Sequence, residues 1–579
     1  MHPRRFQFLV LLTLAVVIGL CFITQTVLSQ SPEGALTGTV IDPSGARIPG
    51  ATILVQGLET QFKLQTQAGP TGEFRVGLIP PGRYRVDVSA KGFATGIYQI
   101  NIAVSSIPTL SIVLKPEALK QSVSVVGEEY SLASQPIETT SSVEKATVSA
   151  RDLTTLPLAH RSFANIAYLS PMTEPVEPSD PTKARITAVS FAGSSGLNID
   201  LSVDGGDDND DYIGGFLQNY SPDAIQDFAI RTAQFNGDTS RTNGGSVIIA
   251  TRRGTDQWHG SLGFYDRSKS LNARNQLDNP EPDPKQPFSR QNGVATLGGP
   301  LKKGKMWIFS SLEYIHENAS VAYSVNSLNE FNALATLAGM GLIPGIRSIH
   351  VPTSVLVPFR DTLFSTRVDW AQSPHSQWFL RGSFDRNEAQ NDLVQQATLP
   401  STGAATRSDY FSFLVSNEYQ VSSNWTGVLT LEASEFHHTK DRNSNLGLAL
   451  AFPFSATFHT TSGFETFGDN QFVTPITAFP IQRDQQKYQF RYDLHHSAGG
   501  HSIALGVNVI HEPVLRGRLA DSPELLVVFP NDPSFYVANP AQFSSDFAAN
   551  STEVGRGSGN FSQSIRRLGV YVQDSWRVL

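Results

Sequence analysis

The C-terminal half of the chain alternates apolar and polar residues with a period of two. In KYQFRYDLHH, Tyr488, Phe490, Tyr492 and Leu494 fall on one side of an extended chain. Lys487, Gln489, Arg491, Asp493 and His495 fall on the other. Successive side chains of a strand point to opposite faces, so this is a strand with one apolar and one polar face. QWFLRGSFDR repeats the pattern, with Trp378, Leu380 and Phe384 against Arg381, Ser383 and Asp385. NWTGVLTLEAS sets Trp425, Leu429 and Leu431 against Thr426, Thr430 and Glu432. The last residues keep the rhythm through Leu568, Val570, Val572 and Trp576. About ten strands are expected by this count. They lie near Trp258–Tyr265, Gly293–Gly299, Met306–Ile315, Thr362–Ala371, Gln377–Asp385, Asp409–Val421, Trp425–Phe436, Gln486–His495, Ser502–Ile510 and Arg566–Arg577.

The connections separate a membrane barrel from a soluble sandwich, which also alternates. Short turns at Lys302–Lys305, Gln372–Ser376, Ser422–Asn424 and Ser497–His501 join strands in pairs. Long irregular loops rich in Pro and Asn separate the pairs: Asp266–Gln291, Glu317–Phe359, Asn387–Ser408, His437–Gln486 and Glu512–Ser564. Tight turns on one side and long loops on the other mark an outer-membrane barrel. A compact soluble domain has little use for so many loops of over about 20 residues. Trp258, Trp307, Trp378, Trp425 and Trp576, near strand ends, fit interfacial girdles.

Two regions precede the barrel. From Glu33 to Pro116, β-branched and polar residues alternate between the turn pairs Asp42-Pro43, Ser44-Gly45, Pro49-Gly50 and Pro80-Pro81-Gly82. Strands are expected near Leu36–Ile41, Ala51–Gln56, Gly72–Leu78, Gly82–Ala90 and Thr109–Leu114, as a small β-sandwich with Tyr84 and Phe93 in its core. From Ala118 to Arg253 the pattern is mixed. LKQSVSVVGEE is a β-prone segment in a polar linker, able to add itself to the edge of another sheet. Apolar residues around Phe163, Ile166 and Leu169 recur at helical spacing.

Composition narrows the function classes. Charged residues are 17% and the formal net charge is −8, which argues against nucleic-acid binding. The single cysteine, Cys21, sits in a leader with Arg4 and Arg5 before an apolar run from Phe6 to Ile23, so 1–29 is read as a cleaved signal peptide. Cysteine-held zinc is excluded. No P-loop, dinucleotide fingerprint, H-E-x-x-H or G-x-S-x-G occurs, so no catalytic residue and no cofactor is assigned. His160, His259, His437-His438 and His495-His496 are scattered, and the paired histidines are expected in external loops or at lumen rims.

Specific phrases then carry a resemblance. GTVIDPSGARIPGATILVQG, GPTGEFRVGLIPPGRYRVDVSAKGF and LSIVLKP resemble the carboxypeptidase-regulatory-like domain. FAGSSGLNIDLSVDGGDDNDDYIGG, SPDAIQDFAIRTAQFNGDTSRTNGGSVIIATRRGTDQWHGS and LNARN resemble, in order, the plug and first barrel strands of TonB-dependent outer-membrane receptors of the Oar-like group. The resemblance implies a mainly β architecture. It comprises a prealbumin-like sandwich (33–116), a TonB-box linker and mixed α/β plug (118–253), and part of a transmembrane antiparallel barrel (255–579). A full barrel would have roughly 22 strands, so the chain is expected to be a truncated product or partial record. The resemblance also implies a cell-outer-membrane location and energisation by the TonB–ExbB–ExbD complex. It implies contact with outer-membrane lipid and an extracellular ligand that could be a glycan, peptide or chelate. By position, Ser122, Val123, Ser124, Val125 and Val126 match the TonB box. An outer-membrane-anchored carbohydrate- or protein-binding adhesin without transport is the alternative.

One cluster stands apart. Asp204, Asp207, Asp208, Asp210 and Asp211 could hold Ca²⁺ through hard oxygen ligands. The spacing is not that of an EF-hand, and Gly205-Gly206 points instead to a tight turn with solvated acids.

Overall fold

The computed structural model describes residues 33–576 apart from 61, 118–123, 127–143, 156–160, 177–187, 195–198, 213, 234–241, 243, 275–280, 393–403, 423, 443–454, 460–470, 474–480, 499–500, 519–523 and 555–559. The expected leader, Ser122, Val123 and His160 lie outside the described residues.

The sandwich is built from β1 (Gly34–Ile41), β2 (Thr52–Gly57), β3 (Lys63–Gln67), β4 (Glu73–Ile79), β5 (Gly82–Ser89), β6 (Gly96–Ile102) and β7 (Thr109–Val113). One sheet runs β4-β1-β7. The other runs β3-β2-β5-β6 and ends on β8 (Ser124–Val126). Leu36, Val40, Ile53, Val55, Val86, Val88 and Ile100 fill the space between them. Tyr84 is buried and its hydroxyl donates to the Pro80 carbonyl at 2.6 Å, while Phe93 packs at the margin of the same core. β3 and β6 are additions to the expected set. β3 (KLQTQ) has a single large apolar residue, Leu64, so its alternation carried little hydrophobic signal.

The central domain holds β9 (Glu144–Ser149), β10 (Thr173–Val176), β11 (Ala188–Phe191), β12 (Ile199–Val203), β13 (Gly206–Asp207), β14 (Ile225–Ala233) and β15 (Gly245–Thr251), with the order β13-β12-β15-β14-β9 in its main sheet. A short helix, Ala150–Thr155, follows β9. Its start is a reciprocal cap: the Ser149 hydroxyl accepts from the Asp152 N–H at 3.3 Å, and the Asp152 carboxylate accepts from the Ser149 N–H at 3.0 Å. Phe163–Leu169 is a 3₁₀ helix that buries Ile166.

The remaining strands are β16 (His259–Ser268), β17 (Phe288–Lys302), β18 (Met306–Ala322), β19 (Ser354–Ser373), β20 (Ser376–Asp392), β21 (Ala404–Ser422), β22 (Trp425–Arg442), β23 (Ser455–His459), β24 (Gln471–Val473), β25 (Ile481–Ala498), β26 (His501–Arg518), β27 (Glu524–Phe529), β28 (Ser551–Val554) and β29 (Asn560–Trp576). Ten form one antiparallel sheet in the order β16-β17-β18-β19-β20-β21-β22-β25-β26-β29. The sheet is not closed, and β16 and β29 are its edges. Arg483, Gln485, Lys487, Gln489 and Asp493 of β25 are buried on its inner face. The outer face exposes Leu312, Phe364, Leu380, Phe411, Phe413, Leu568, Val570 and Val572. A wall that buries ions and exposes hydrocarbon side chains is inside out for water and right for lipid.

Strands run further than their apolar stretch. β17 spans Phe288–Lys302, where the apolar signal covered Gly293–Gly299. The extra residues stay hydrogen-bonded to neighbours after the outward side chains have turned polar. The paired histidines therefore lie within β22 and β25, not in loops. His438 is buried beside the Ser408 hydroxyl at 3.0 Å, and His496 stacks on Trp425. Trp258 and Trp576 are exposed at the short-turn end, as a girdle requires. Trp307 is not part of it: it points inward, 1% exposed, with its indole N–H donating to Asp256 Oδ1 at 2.8 Å.

The long loops depart most from expectation. β23, β24, β27 and β28 form a second sheet in the order β24-β23-β27-β28. Helices Val325–Gly339, Pro533–Ala538 and Pro540–Asn550 pack with it. Three loops far apart in sequence thus share one core, containing Phe331, Leu334, Leu337, Phe458, Phe529, Tyr536 and Phe543. This cap stands on the long-loop end of the wall.

Candidate functional site

The central domain lies against the inner face of the wall, and its tip is the β12–β13 hairpin. Val203 pairs with Gly206, leaving Asp204-Gly205 as a two-residue loop. Both have positive φ, 52° and 84°, the backbone of a type I′ turn for which Asp-Gly is a favoured pair. The tightness of the turn was legible in the sequence; its chemistry was not. Asp204, Asp207, Asp208 and Asp210 are all under 9% exposed. They are not solvated.

Each acid meets a partner. Asp204 takes Arg367 Nη1 at 3.2 Å, Arg381 Nη1 at 3.0 Å, and the Thr251 N–H and hydroxyl at 2.9 and 2.7 Å. Burial alone would raise its pKa, yet the two guanidiniums and the Thr251 bonds outweigh it and hold the carboxyl below its usual range. Asp207 pairs with Lys487, which also reaches Asp211 at 3.4 Å. Asp210 takes Arg483 at 2.8 Å, and Asp211 takes Arg567 Nη1 at 2.8 Å. Asp208 accepts from the Gln218 N–H at 3.0 Å. Strands β19, β20, β25 and β29 supply these five cations. Among the described residues no group of three or more His, Cys, Asp or Glu side chains is placed to hold a metal ion. Buried charge is tolerated where it is paired and hydrogen-bonded, and removing one partner costs about 3–5 kcal/mol.

A second set of contacts fixes the domain higher up. Glu313 accepts from the Ser221 hydroxyl at 2.5 Å and Asn292 Nδ2 at 2.7 Å, and faces Arg161 at 3.5 Å. Asp385 Oδ2 accepts from the Asn219 N–H at 2.9 Å, and Ser383 and Ser412 donate to Gln218 Oε1 at 3.0 and 3.2 Å. Sequence reasoning missed these wall residues. Their only signal was an inward position in an alternating strand, which any lumen residue shares.

The sandwich closes the short-turn end. Gln420 Nε2 donates to the Gln65 carbonyl at 3.1 Å, Ser497 to the Arg75 carbonyl at 3.4 Å, and Arg253 to the Pro81 carbonyl at 2.8 Å. Of the five box candidates, Ser124, Val125 and Val126 are described, as β8.

Residues 250–340 and 347–579 match the family model for the outer membrane beta barrel domain, more than half of the chain. The chain belongs to this outer-membrane barrel family. Residues 35–115 match the carboxypeptidase regulatory-like domain. The protein is an outer-membrane protein. It is 26% identical over 305 residues to the TonB-dependent transporter Oar of Myxococcus xanthus, a match covering 48% of this chain and 26% of that protein. The outer membrane transporter YddB of Escherichia coli has a similar fold: TM-score 0.50, 10% identity, 74% of this chain and 54% of that one. FpvA of P. aeruginosa, solved bound to heterologous pyoverdines, gives TM-score 0.47 at 10% identity, over 77% of this chain and 50% of that one. The chain thus spans about half the length of the E. coli transporter.

Proposed function

We propose that this protein is an outer-membrane receptor that imports a ligand in the TonB-dependent manner. Residues 1–29 are the signal peptide, 33–116 the regulatory-like sandwich, 118–253 the box and plug, and 255–579 barrel wall. The observation that carries the reading is the plug's seat, a buried set of acid–cation pairs between one hairpin and four wall strands. A lumen filled this way is not a passive pore. Opening it takes work, and the outer membrane has no nucleotide supply. A pull on the periplasmic segment Ser122–Val126, through strand addition by a TonB–ExbB–ExbD complex, supplies that work. The cap and the upper edge of the plug face outward and are where an extracellular ligand is met. The likeness to Oar supports the assignment.

Deleting Ser122–Val126 tests it. Cells carrying the deletion are expected to place the protein in the outer membrane normally and to retain surface ligand binding, but to lose uptake. Unchanged activity in the deletion would favour an anchored binding protein without transport.

A further inference from the structure

The sandwich has a structural relation to the box segment that the import scheme does not require. β8 is the outermost strand of β3-β2-β5-β6-β8. It runs parallel to β6, with Ile97 opposite Ser124, Tyr98 opposite Val125 and Gln99 opposite Val126. Its other edge pairs with no strand among the described residues. β3, at the opposite edge, is the strand whose Gln65 carbonyl is held by Gln420 of the wall. Four strand spacings of about 4.8 Å put β8 roughly 19 Å from that anchor. The Ser497–Arg75 and Arg253–Pro81 bonds fix the platform further.

A free strand edge offers unpaired main-chain groups to another strand. A disordered segment must pay backbone entropy before it can pair, and one already extended need not. We propose that the sandwich is a presenting platform. It holds Ser124–Val126 extended along β6, so that a strand of the energy-transducing partner adds to the other side of β8 while β6 stays bound. The sheet then runs from sandwich through box to partner. This rests on reading Ser122–Val126 as the box, and it gives the regulatory-like domain a role.

The test uses the full chain in detergent with paired cysteines Gln99→Cys and Val126→Cys, and as a second pair Ile97→Cys and Ser124→Cys. The one native cysteine, Cys21, lies in the leader. Facing Cα positions of adjacent strands fall within disulfide range. The probe is the purified C-terminal periplasmic domain of TonB. A disulfide is expected to form in at least one pair, with oxidised and reduced protein binding the probe within about threefold of each other. A loss of about tenfold or more on oxidation, reversed by reductant, would overturn the proposal. It would mean that β6 and the partner compete for one edge. Failure of both pairs to cross-link would overturn it too. A chain lacking Ser122–Val126 separates the two ideas. If it binds the probe like the wild type, the box assignment fails, whatever the cross-links show.

Discussion

At the residue scale, the acids of the Asp204–Asp211 hairpin matter through their partners. Asp204 is a stronger acid in the folded protein than in the unfolded chain, whose carboxyl titrates near 3.9. The native state therefore binds fewer protons between the two values. Its stabilising share is complete above about pH 4 and is lost as pH falls through the lowered folded value. Hydrogen exchange of β12 and β15 is expected to rise over that acid window, and Asp204→Asn should flatten the dependence. Gly206 makes a second prediction. A Cβ there would meet the Glu432 carboxylate, which is held by Arg381 at 3.2 Å. Gly206→Ala should push Glu432 off Arg381 and loosen the hairpin, seen as faster exchange in β12 and β13 with the sandwich unchanged. An unaltered exchange pattern would count against this packing. None of these partners was visible from the acids alone, because pairing between residues 204 and 381, or 210 and 483, is set by the curvature of the wall.

At the element scale, the strands were legible and the cap was not. Alternation in β25 survives burial because lipid selects one face and the lumen the other, so Tyr488 and Lys487 announce their sides directly. The cap has no such local signature. Phe331, Phe458 and Phe529 come from three loops and meet in one core. A rhythm-based reading sees irregular loops there because the core exists only once the barrel has brought their ends together. Phe529 stacks on Phe458 and Phe543, with centroids 4.4 and 4.8 Å apart. Phe529→Ala is expected to destabilise the cap by about 3–5 kcal/mol. Limited proteolysis should then cut all three loops together while the barrel strands stay protected. Cleavage confined to the β27 loop would show that the cap is not one unit.

At the scale of the whole molecule, a sandwich at the short-turn end, a plug fixed by ion pairs and a cap at the far end occupy one axis of a lipid-facing wall. The barrel wall and its count of strands followed from periodicity and loop lengths, and the plug from the resemblance of its phrases to known receptors. The way the bodies engage did not, since it rests on side chains hundreds of residues apart. The account stands on the two faces of that wall, and nitroxide scanning along β25 and β26 in a bilayer tests it most directly. Labels at Phe490, Tyr492, Val507 and Val509 should collide with oxygen dissolved in lipid and be shielded from a water-soluble nickel chelate. Labels at Gln489 and Asn508 should be shielded from oxygen, giving a period of two along each strand. Equal exposure of both sets to the chelate, with no period, would contradict the account.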